Sequence, residues 1–294
     1  MTLSGLFVPL ITPFTENDSV DLDALETLAD TVLAAGAAGL VSLGTTAEAS
    51  TLTSAERLSI SEVCAGVAAR HRAHHIIGVG SNSTSETVRA ISQLAPDVSA
   101  ALVTTPSYTR PTEDGVVEHF RQVATSSPVP VVVYHVPHRT AMPLSTPTLL
   151  RLAEIPNICG FKYAAGTFDD TAAQLLAQVP HHIDVLSGDD ALAGAMLAMG
   201  GSGAILASAC VATEHFVDMI NRWRCGEVAR ARALTHALVP LSLALMAEPN
   251  PVVIKAVLAA QRRIPSSSVR LPLLRAGSAA TQRGLDALAE VHTG

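Results

Sequence analysis

An eightfold alternation of strand-like and helix-like segments constrains the fold of this chain more than any other feature of its sequence. Short apolar runs, most of them rich in β-branched residues, alternate with longer Ala- and Leu-rich stretches of helical period. Parallel strands need such crossover helices, so the pattern predicts a parallel sheet. The predicted strands span 6–11, 39–43, 76–80, 100–104, 129–134, 158–162, 184–187 and 203–206. The helices that follow them span 23–35, 54–70, 84–95, 113–126, 145–154, 169–178, 190–199 and 213–225.

We predict that this α/β chain closes into a (β/α)8 TIM barrel. The strands are apolar on both faces, as expected where one face fills the barrel and helices cover the other. An open doubly wound sheet is the alternative, but its usual glycine-rich dinucleotide turn after the first strand is missing. Prolines at 249, 251, 265 and 272 divide the last part of the chain into three helices. The sequence therefore predicts a barrel catalytic domain over 1–226 and a C-terminal helical appendage over 227–294.

Composition excludes several classes of function. No apolar run reaches the roughly 18 residues that cross a bilayer, so we expect no membrane association. The net charge is −7 and no basic stripe is present, which argues against nucleic acid as a partner. The N-terminus lacks the basic start of a signal peptide, which favours a cytoplasmic location. The four cysteines are scattered without metal-ligand spacing, so we predict reduced thiols and no metal.

Lys162 is the strongest candidate for a catalytic residue. Active sites of these barrels lie at the C-terminal ends of the strands, and Lys162 closes the apolar strand 158–162. Only two of the 19 basic residues are lysines, and the other, Lys255, is interpreted as structural. Burial in apolar surroundings favours a neutral amine, which can attack a ketone and form an imine. The alternative is a structural lysine paired with a carboxylate.

Proton transfer to the substrate oxygen requires hydroxyl groups near Lys162. Tyr134 ends the neighbouring strand and could supply one, with Thr46 relaying its proton. The three tyrosines of the chain all fall at predicted strand ends, and we expect them to share one face. The third of them, Tyr163, would then place a phenol beside Lys162. For any single tyrosine, packing with a satisfied hydroxyl remains the alternative.

Other polar residues at strand ends divide into ligand-binding candidates and structural ones. Arg139 suits bidentate capture of a carboxylate, and the Gly44-Thr45-Thr46 turn offers N–H groups and hydroxyls for a small anion. The pairs Asp169-Asp170 and Asp189-Asp190 stand at predicted helix starts and are interpreted as N-caps rather than metal ligands. The histidine pairs at 74–75 and 181–182 have no third ligand at metal spacing and are predicted to lie in surface loops.

These motifs, taken in order along essentially the whole chain, resemble the dihydrodipicolinate synthase/N-acetylneuraminate lyase family of class I aldolases. The similarity begins at Pro9-Leu10-Ile11-Thr12-Pro13-Phe14 and reaches the C-terminal helices. Within the family, three segments are most similar to members that condense pyruvate with L-aspartate 4-semialdehyde on the way to lysine. They are Tyr134-x-Val136-Pro137-x-Arg139-Thr140, Tyr108-x-Arg110-Pro111 and Glu248-Pro249-Asn250-Pro251.

The resemblance implies a role for each matching residue. It implies that Lys162 forms the Schiff base and that Thr46, Tyr108 and Tyr134 form a proton relay, with Tyr108 reaching in from a neighbouring subunit. Arg139 would bind the carboxylate of the aldehyde substrate. Such enzymes are usually homotetramers, dimers of tight dimers, that use no metal or organic cofactor. The residues implied to surround the substrates are Thr45, Thr46, Gly188 and Ile205.

Departures from the family pattern leave two other functions open. Ala47, His135 and Tyr163 stand where relatives usually have Gly, Asn and an acidic residue, which puts the second substrate in doubt. A sister aldolase or dehydratase for a sugar-derived 2-oxo acid is one alternative, and a non-catalytic homologue that binds 2-oxo acids or merely assembles is the other.

The positions that bind inhibitory lysine in regulated relatives also differ, which predicts weak inhibition or none. They match at Asn82 and Glu86 but read Ala49, Ser54 or Arg57, and Ser107.

Overall fold

The computed structural model describes residues 2–293, so Met1 and Gly294, the outer ends of the two predicted domains, lie outside the described residues. Eight parallel strands form a closed barrel in which β1 to β8 follow one another in chain order. This confirms the predicted TIM barrel. The strands are β1 Gly5–Pro9, β2 Gly39–Ser42, β3 His74–Gly78, β4 Ala100–Thr104, β5 Val131–His135, β6 Ile158–Tyr163, β7 Asp184–Ser187 and β8 Gly203–Ile205.

The helices are α1 Leu22–Ala34, α2 Ser54–His71, α3 Thr84–Ile91, α4 Glu113–Ser126, α5 Pro137–Thr140, α6 Thr146–Ala153, α7 Asp170–Gln178, α8 Ala193–Ala198, α9 Thr213–Arg224, α10 Val228–Leu245, α11 Val252–Ala260 and α12 Ser278–Thr293. The eight helices with predicted bounds begin and end within about four residues of them, and α5 is a short helix that was not predicted. Local chemistry fixes several of these ends. At the start of α2, Thr53 and Glu56 form a capping box in which each side chain accepts from the backbone N–H of the other residue.

β3 begins at His74, two residues before its predicted start, and the predicted loop position of the 74–75 pair is wrong. His75 is 4% exposed and its Nε2 lies 2.8 Å from the hydroxyl oxygen of Ser42 on β2. A buried histidine is tolerated there because the neighbouring strand supplies its hydrogen-bond partner. The 181–182 pair does lie in an exposed turn before β7.

The described residues group into two compact units. Unit 1 consists of the residues up to Gly5 together with Ile76–Ile205, and it contains β4–β8 and the helices between them. Within it, β6 and β7 approach so closely that a Cβ on Gly160 would lie 2.5 Å from the carbonyl oxygen of Asp184. The backbone N–H of Leu3 donates to the Asp184 carboxylate, which ties the start of the chain to β7.

Unit 2 consists of Leu6–His75 and the residues from Leu206 onward, and it contains β1, β2 and the helices α9–α12. Its core includes the first helix of the predicted appendage, α10, which packs against α9. The three predicted C-terminal helices are α10, α11 and α12. The predicted boundary at 226/227 falls in the short connection between α9 and α10, and it stays a prediction as a domain boundary.

Candidate active site

Strands β5 and β6 place Tyr134 and Lys162 side by side in unit 1. The two residues are register partners, so their side chains leave the same face of the sheet. Nζ of Lys162 lies 4.3 Å from the centroid of the Tyr134 ring, and each residue is only 6% exposed. The pairing that the sequence predicted from adjacent strand ends is therefore present as a direct contact.

Gly188, at the end of β7, lies against the aliphatic stem of Lys162. A Cβ at this position would be 2.9 Å from Cε and 3.0 Å from Cγ of Lys162, closer than real Cβ atoms approach. Glycine therefore leaves the room that the lysine stem occupies. This is a packing reason for Gly188, which the sequence had suggested only as a substrate-binding residue.

The two lysines of the chain lie in opposite electrostatic surroundings. Within residues 2–293, Lys255 forms an ion pair with Glu48, whereas Lys162 forms none. The structural interpretation of Lys255 is confirmed. The same geometry removes the alternative of Lys162 as a structural lysine held by a carboxylate. The amine of Lys162 is therefore outside any direct ion pair, although Asp189 is near enough to interact with it electrostatically.

Tyr163 does not lie beside Lys162, so the expectation of three tyrosines on one face is wrong. Successive strand residues point to opposite faces, and Tyr163 is the register partner of His135 rather than of Tyr134. Its ring centroid lies 5.2 Å from that of His135, and its hydroxyl donates to Asp169 at 3.3 Å. Burial raises the pKa of the Tyr163 phenol. His135 and Tyr163, two residues that depart from the family pattern, thus pack against each other on the face of the sheet opposite Lys162.

The two aspartate pairs behave differently from each other. Asp169 accepts from the N–H of Ala172 at 3.0 Å and caps α7, which confirms the N-cap interpretation. The side chain of Asp189 caps no helix N–H among the described residues and instead accepts from the N–H of Gly166 at 2.7 Å. The N-cap interpretation is wrong for Asp189. Burial raises the pKa of its carboxyl group, an effect that the nearby His138 and Lys162 oppose.

Tyr108 and Arg139 extend from unit 1 into solvent. Tyr108 lies in the loop after β4 with a φ of 67° and is 90% exposed. A phenol in that position touches little of its own chain. Arg139 lies on the one-turn helix α5 and is also exposed. Ile205, by contrast, ends β8 and is buried.

Thr45 and Thr46 lie in unit 2, in a 3-10 turn, Thr45–Ala47, that follows β2. Thr46 is 3% exposed, and its hydroxyl oxygen accepts from Nδ2 of Asn250 at 3.0 Å. After the turn, Glu48 has a left-handed conformation with a φ of 53°. Sequence reasoning missed the roles of Asn250 and Glu48. Their partners lie about two hundred positions away in the chain, so local patterns could not reveal these contacts. The sequence offered only their positions, Asn250 in the Glu248-Pro249-Asn250-Pro251 motif and Glu48 just after the Gly44-Thr45-Thr46 turn.

The described part of the chain contains no group of three or more His, Cys, Asp or Glu side chains that could hold a metal ion. Among the same residues, no helix is both long and apolar enough to cross a membrane.

Comparison with known proteins identifies the family. Residues 2–290 match the dihydrodipicolinate synthetase family. The chain belongs to this family. Over 291 aligned residues it is 39% identical to a 4-hydroxy-tetrahydrodipicolinate synthase of Sorangium cellulosum. The alignment covers 98% of this chain and 96% of the relative.

Solved structures of the family have the same fold. One dihydrodipicolinate synthase superimposes with a TM-score of 0.92 at 34% identity, covering 99% of both chains. The chloride-inhibited dihydrodipicolinate synthase of Acinetobacter baumannii, crystallised with pyruvate, superimposes with a TM-score of 0.94 at 31% identity and covers 99% of both chains. Family membership, the barrel and the buried Lys162–Tyr134 pair therefore agree with one another.

Proposed function

We propose that this chain is a lyase that condenses pyruvate with L-aspartate 4-semialdehyde through an imine on Lys162. The contact between the buried, unpaired amine of Lys162 and the Tyr134 ring carries the proposal. The named function of the 39% identical relative supports the choice of substrates. The proposal needs pyruvate and a small aldehyde as partners and no cofactor. A cytoplasmic location stays a prediction.

The chemistry starts at the amine of Lys162. Its lone pair attacks C2 of pyruvate, and the resulting carbinolamine loses water to give a protonated imine. Loss of a proton from C3 gives an enamine, whose C3 then attacks the aldehyde carbon and forms the new C–C bond. The aldehyde oxygen takes up a proton and becomes a hydroxyl. The amino group of the second substrate finally attacks C2, closes a six-membered ring and releases Lys162.

Hydroxyl groups move the protons that these steps require. Tyr134, in contact with Lys162, donates to the departing water and recovers the proton later. Thr46 relays that proton, and Tyr108 completes the relay from a neighbouring subunit. The 90% exposure of Tyr108 leaves its ring free of its own chain and available to a partner subunit. We propose a homotetramer built from tight dimers on this basis and on the resemblance.

We assign substrate binding to the residues that the family resemblance implies. Thr45, Thr46, Gly188 and the Ile205 backbone hold pyruvate, and the exposed guanidinium of Arg139 binds the carboxylate of the aldehyde. Tyr163 and Ala47 were the two departures that argued for a sugar-derived 2-oxo acid as substrate. Because this phenol packs against His135 instead, it does not favour that alternative.

Borohydride trapping tests the Schiff base directly. Pyruvate and borohydride together should convert Lys162 to a stable secondary amine, which peptide mapping locates. Lys162→Ala should abolish both the adduct and turnover. An adduct on Lys255, or no adduct at all, would refute the mechanism.

A panel of aldehydes tests the second substrate. Arg139→Ala should weaken use of L-aspartate 4-semialdehyde while leaving pyruvate trapping unchanged, since a lost charge-assisted pair costs roughly 1.5–3 kcal/mol. Arg121→Ala, on the exposed face of α4, is the matched control. Unchanged kinetics in Arg139→Ala would show that the aldehyde or the role of Arg139 is misassigned.

A further inference from the structure

The amide of Asn250 fixes one hydrogen bond of the Thr46 hydroxyl within unit 2. Nδ2 of Asn250 donates to Oγ1 of Thr46 at 3.0 Å, across 204 positions of the chain. Asn250 lies in the connection between α10 and α11, and Thr46 lies in the turn after β2. The contact is therefore a product of the tertiary fold and not of local sequence.

The two residues that follow Thr46 are both held by hydrogen bonds. The Thr12 hydroxyl donates to the carbonyl oxygen of Ala47 at 2.8 Å. The Glu48 carboxylate accepts from Lys255 Nζ at 2.7 Å and from the backbone N–H of Arg270 at 2.9 Å. These contacts fix the main chain next to Thr46, whose hydroxyl hydrogen can still rotate.

An amide nitrogen can only donate, and this decides what the hydroxyl can do. A threonine hydroxyl has one proton and two acceptor positions. Asn250 occupies one acceptor position and leaves the proton and the other acceptor position for two further partners. A relay needs both, because it accepts a proton on one side and donates one on the other.

We infer that Asn250 is a positioning residue that fixes the direction in which Thr46 passes its proton. The inference rests on the proposed role of Thr46 in the relay. The opposite orientation of the amide would point Oδ1 at Thr46, and Oδ1 would accept the only proton that Thr46 has.

A buried oxygen on the same side chain supports this inference. Oδ1 of Asn250 is buried and has no hydrogen-bond partner among the residues that the structure describes. Leaving a buried acceptor unpaired is destabilising. Asn250 thus keeps its donor on Thr46 while its acceptor stays unpaired, and buried polar groups without partners are exceptions that call for an explanation.

The variant Asn250→Asp tests the inference with almost no change of shape. At neutral pH the introduced carboxylate can only accept, so it takes the Thr46 proton and leaves none for the relay. We expect kcat with pyruvate and L-aspartate 4-semialdehyde to fall about 100-fold, within the range typical of a lost acid–base group.

The pH dependence separates this effect from a structural defect. When protonated, the introduced carboxyl group can donate to Thr46 and restore the native direction. At pH values above the ordinary carboxyl pKa of about 4, the protonated fraction of the introduced Asp side chain rises about tenfold for each unit by which the pH is lowered. The ratio of the kcat of N250D to that of the wild type should rise with this slope as the pH is lowered. A ratio independent of pH would overturn the inference.

A double-mutant cycle with Thr46→Val supplies an independent test. Once the Thr46 hydroxyl is absent, N250D should change kcat no further. An equal loss in both backgrounds would overturn the inference. Circular dichroism and thermal unfolding verify that each variant is folded. If N250D does not fold, Asn250→Ala replaces it in the cycle. We expect this variant to lower kcat less than N250D would, and to lower it only in the background that retains Thr46.

Failure of the proposed function would be visible separately. Borohydride trapping of pyruvate by the wild type reports on the imine alone. A wild type that forms no adduct refutes the proposed imine chemistry. A T46V variant with full kcat, in a wild type that does form the adduct, refutes the relay role of Thr46 and with it the role of Asn250.

Discussion

The carboxylate of Glu48 lies 2.7 Å from Nζ of Lys255, and the two side chains are only 1% and 0% exposed. Lys255 also lies 4.1 Å from the centroid of the Phe14 ring, and Arg270 stacks on the same ring at 4.5 Å. Charge pairing thus holds Glu48, two positions after Thr46, and cation–π contacts with Phe14 hold Lys255 and Arg270, the two residues that donate to Glu48. The pair anchors the turn that carries the proposed relay.

Removing one member of this pair should destabilise the protein strongly. Glu48→Gln leaves a buried ammonium without its counterion, and we expect a loss of about 3–5 kcal/mol in the free energy of unfolding. Urea denaturation measures it. Arg121→Ala breaks an exposed pair with Glu118 and should cost less than about 1 kcal/mol. The double variant E48Q/K255M should lose less than the sum of the single variants, and strict additivity would contradict the pairing.

Gly188→Ala should impair Lys162 without unfolding the barrel. The added Cβ would meet Cε of Lys162 at 2.9 Å and Cβ of Ala164 at 2.8 Å, so the lysine stem must shift. We expect the rate of pyruvate trapping to fall roughly tenfold to hundredfold, because small misplacements of reacting groups are costly. Gly66→Ala is the matched control. Gly66 lies on α2, and a Cβ there would meet no described atom within 4 Å. Equal trapping rates in the two variants would contradict the packing role of Gly188.

Acid should destabilise the fold through the buried histidine beside Tyr163. Burial lowers the pKa of His135 to about 4, and Nδ1 has no hydrogen-bond partner within residues 2–293. The folded protein then resists a proton that the unfolded chain takes up below its ordinary pKa of about 6.5. The contribution of His135 is complete above that value and is lost as the pH falls toward 4.

His135→Asn removes this contribution and provides the measurement. The loss of unfolding free energy between about pH 7.5 and about pH 5 should be smaller in the variant by about 2 kcal/mol. Urea denaturation at both pH values gives the difference. Parallel losses in variant and wild type would show that His135 accepts its proton without disturbing the fold.

Local patterns predicted the barrel well because each strand is an apolar run bounded by turn residues. β4 and β7 have the predicted bounds. β3 was placed too late, because two histidines look like loop residues until Ser42 on β2 provides a partner. The face of Tyr163 was predictable from strand alternation, which places it opposite Lys162. The Asn250–Thr46 and Lys255–Glu48 contacts were not, because each joins residues more than 200 positions apart.

L-Lysine should inhibit this protein weakly or not at all. The resemblance places inhibitory lysine in regulated relatives against a serine, a histidine and a stacking tyrosine, where this chain has Ala49, Arg57 or Ser54, and Ser107. The guanidinium of Arg57 donates to the carbonyl oxygen of Ala49 at 2.5 Å. It thus adds positive charge beside Ala49, the position of the missing serine, which disfavours a cationic ligand there.

The two matching residues are engaged within their own unit. Oδ1 of Asn82 accepts from the Ser107 hydroxyl at 2.8 Å, and Glu86 forms an ion pair with Arg89. A bound lysine would have to displace both partners without gaining an aromatic platform in return. Initial rates measured with increasing L-lysine should therefore stay flat into the millimolar range. Ser107→Tyr restores the ring and, if the pocket is otherwise intact, should lower the inhibitory concentration. Strong cooperative inhibition of the wild type at submillimolar lysine would show that these substitutions do not remove the effector site.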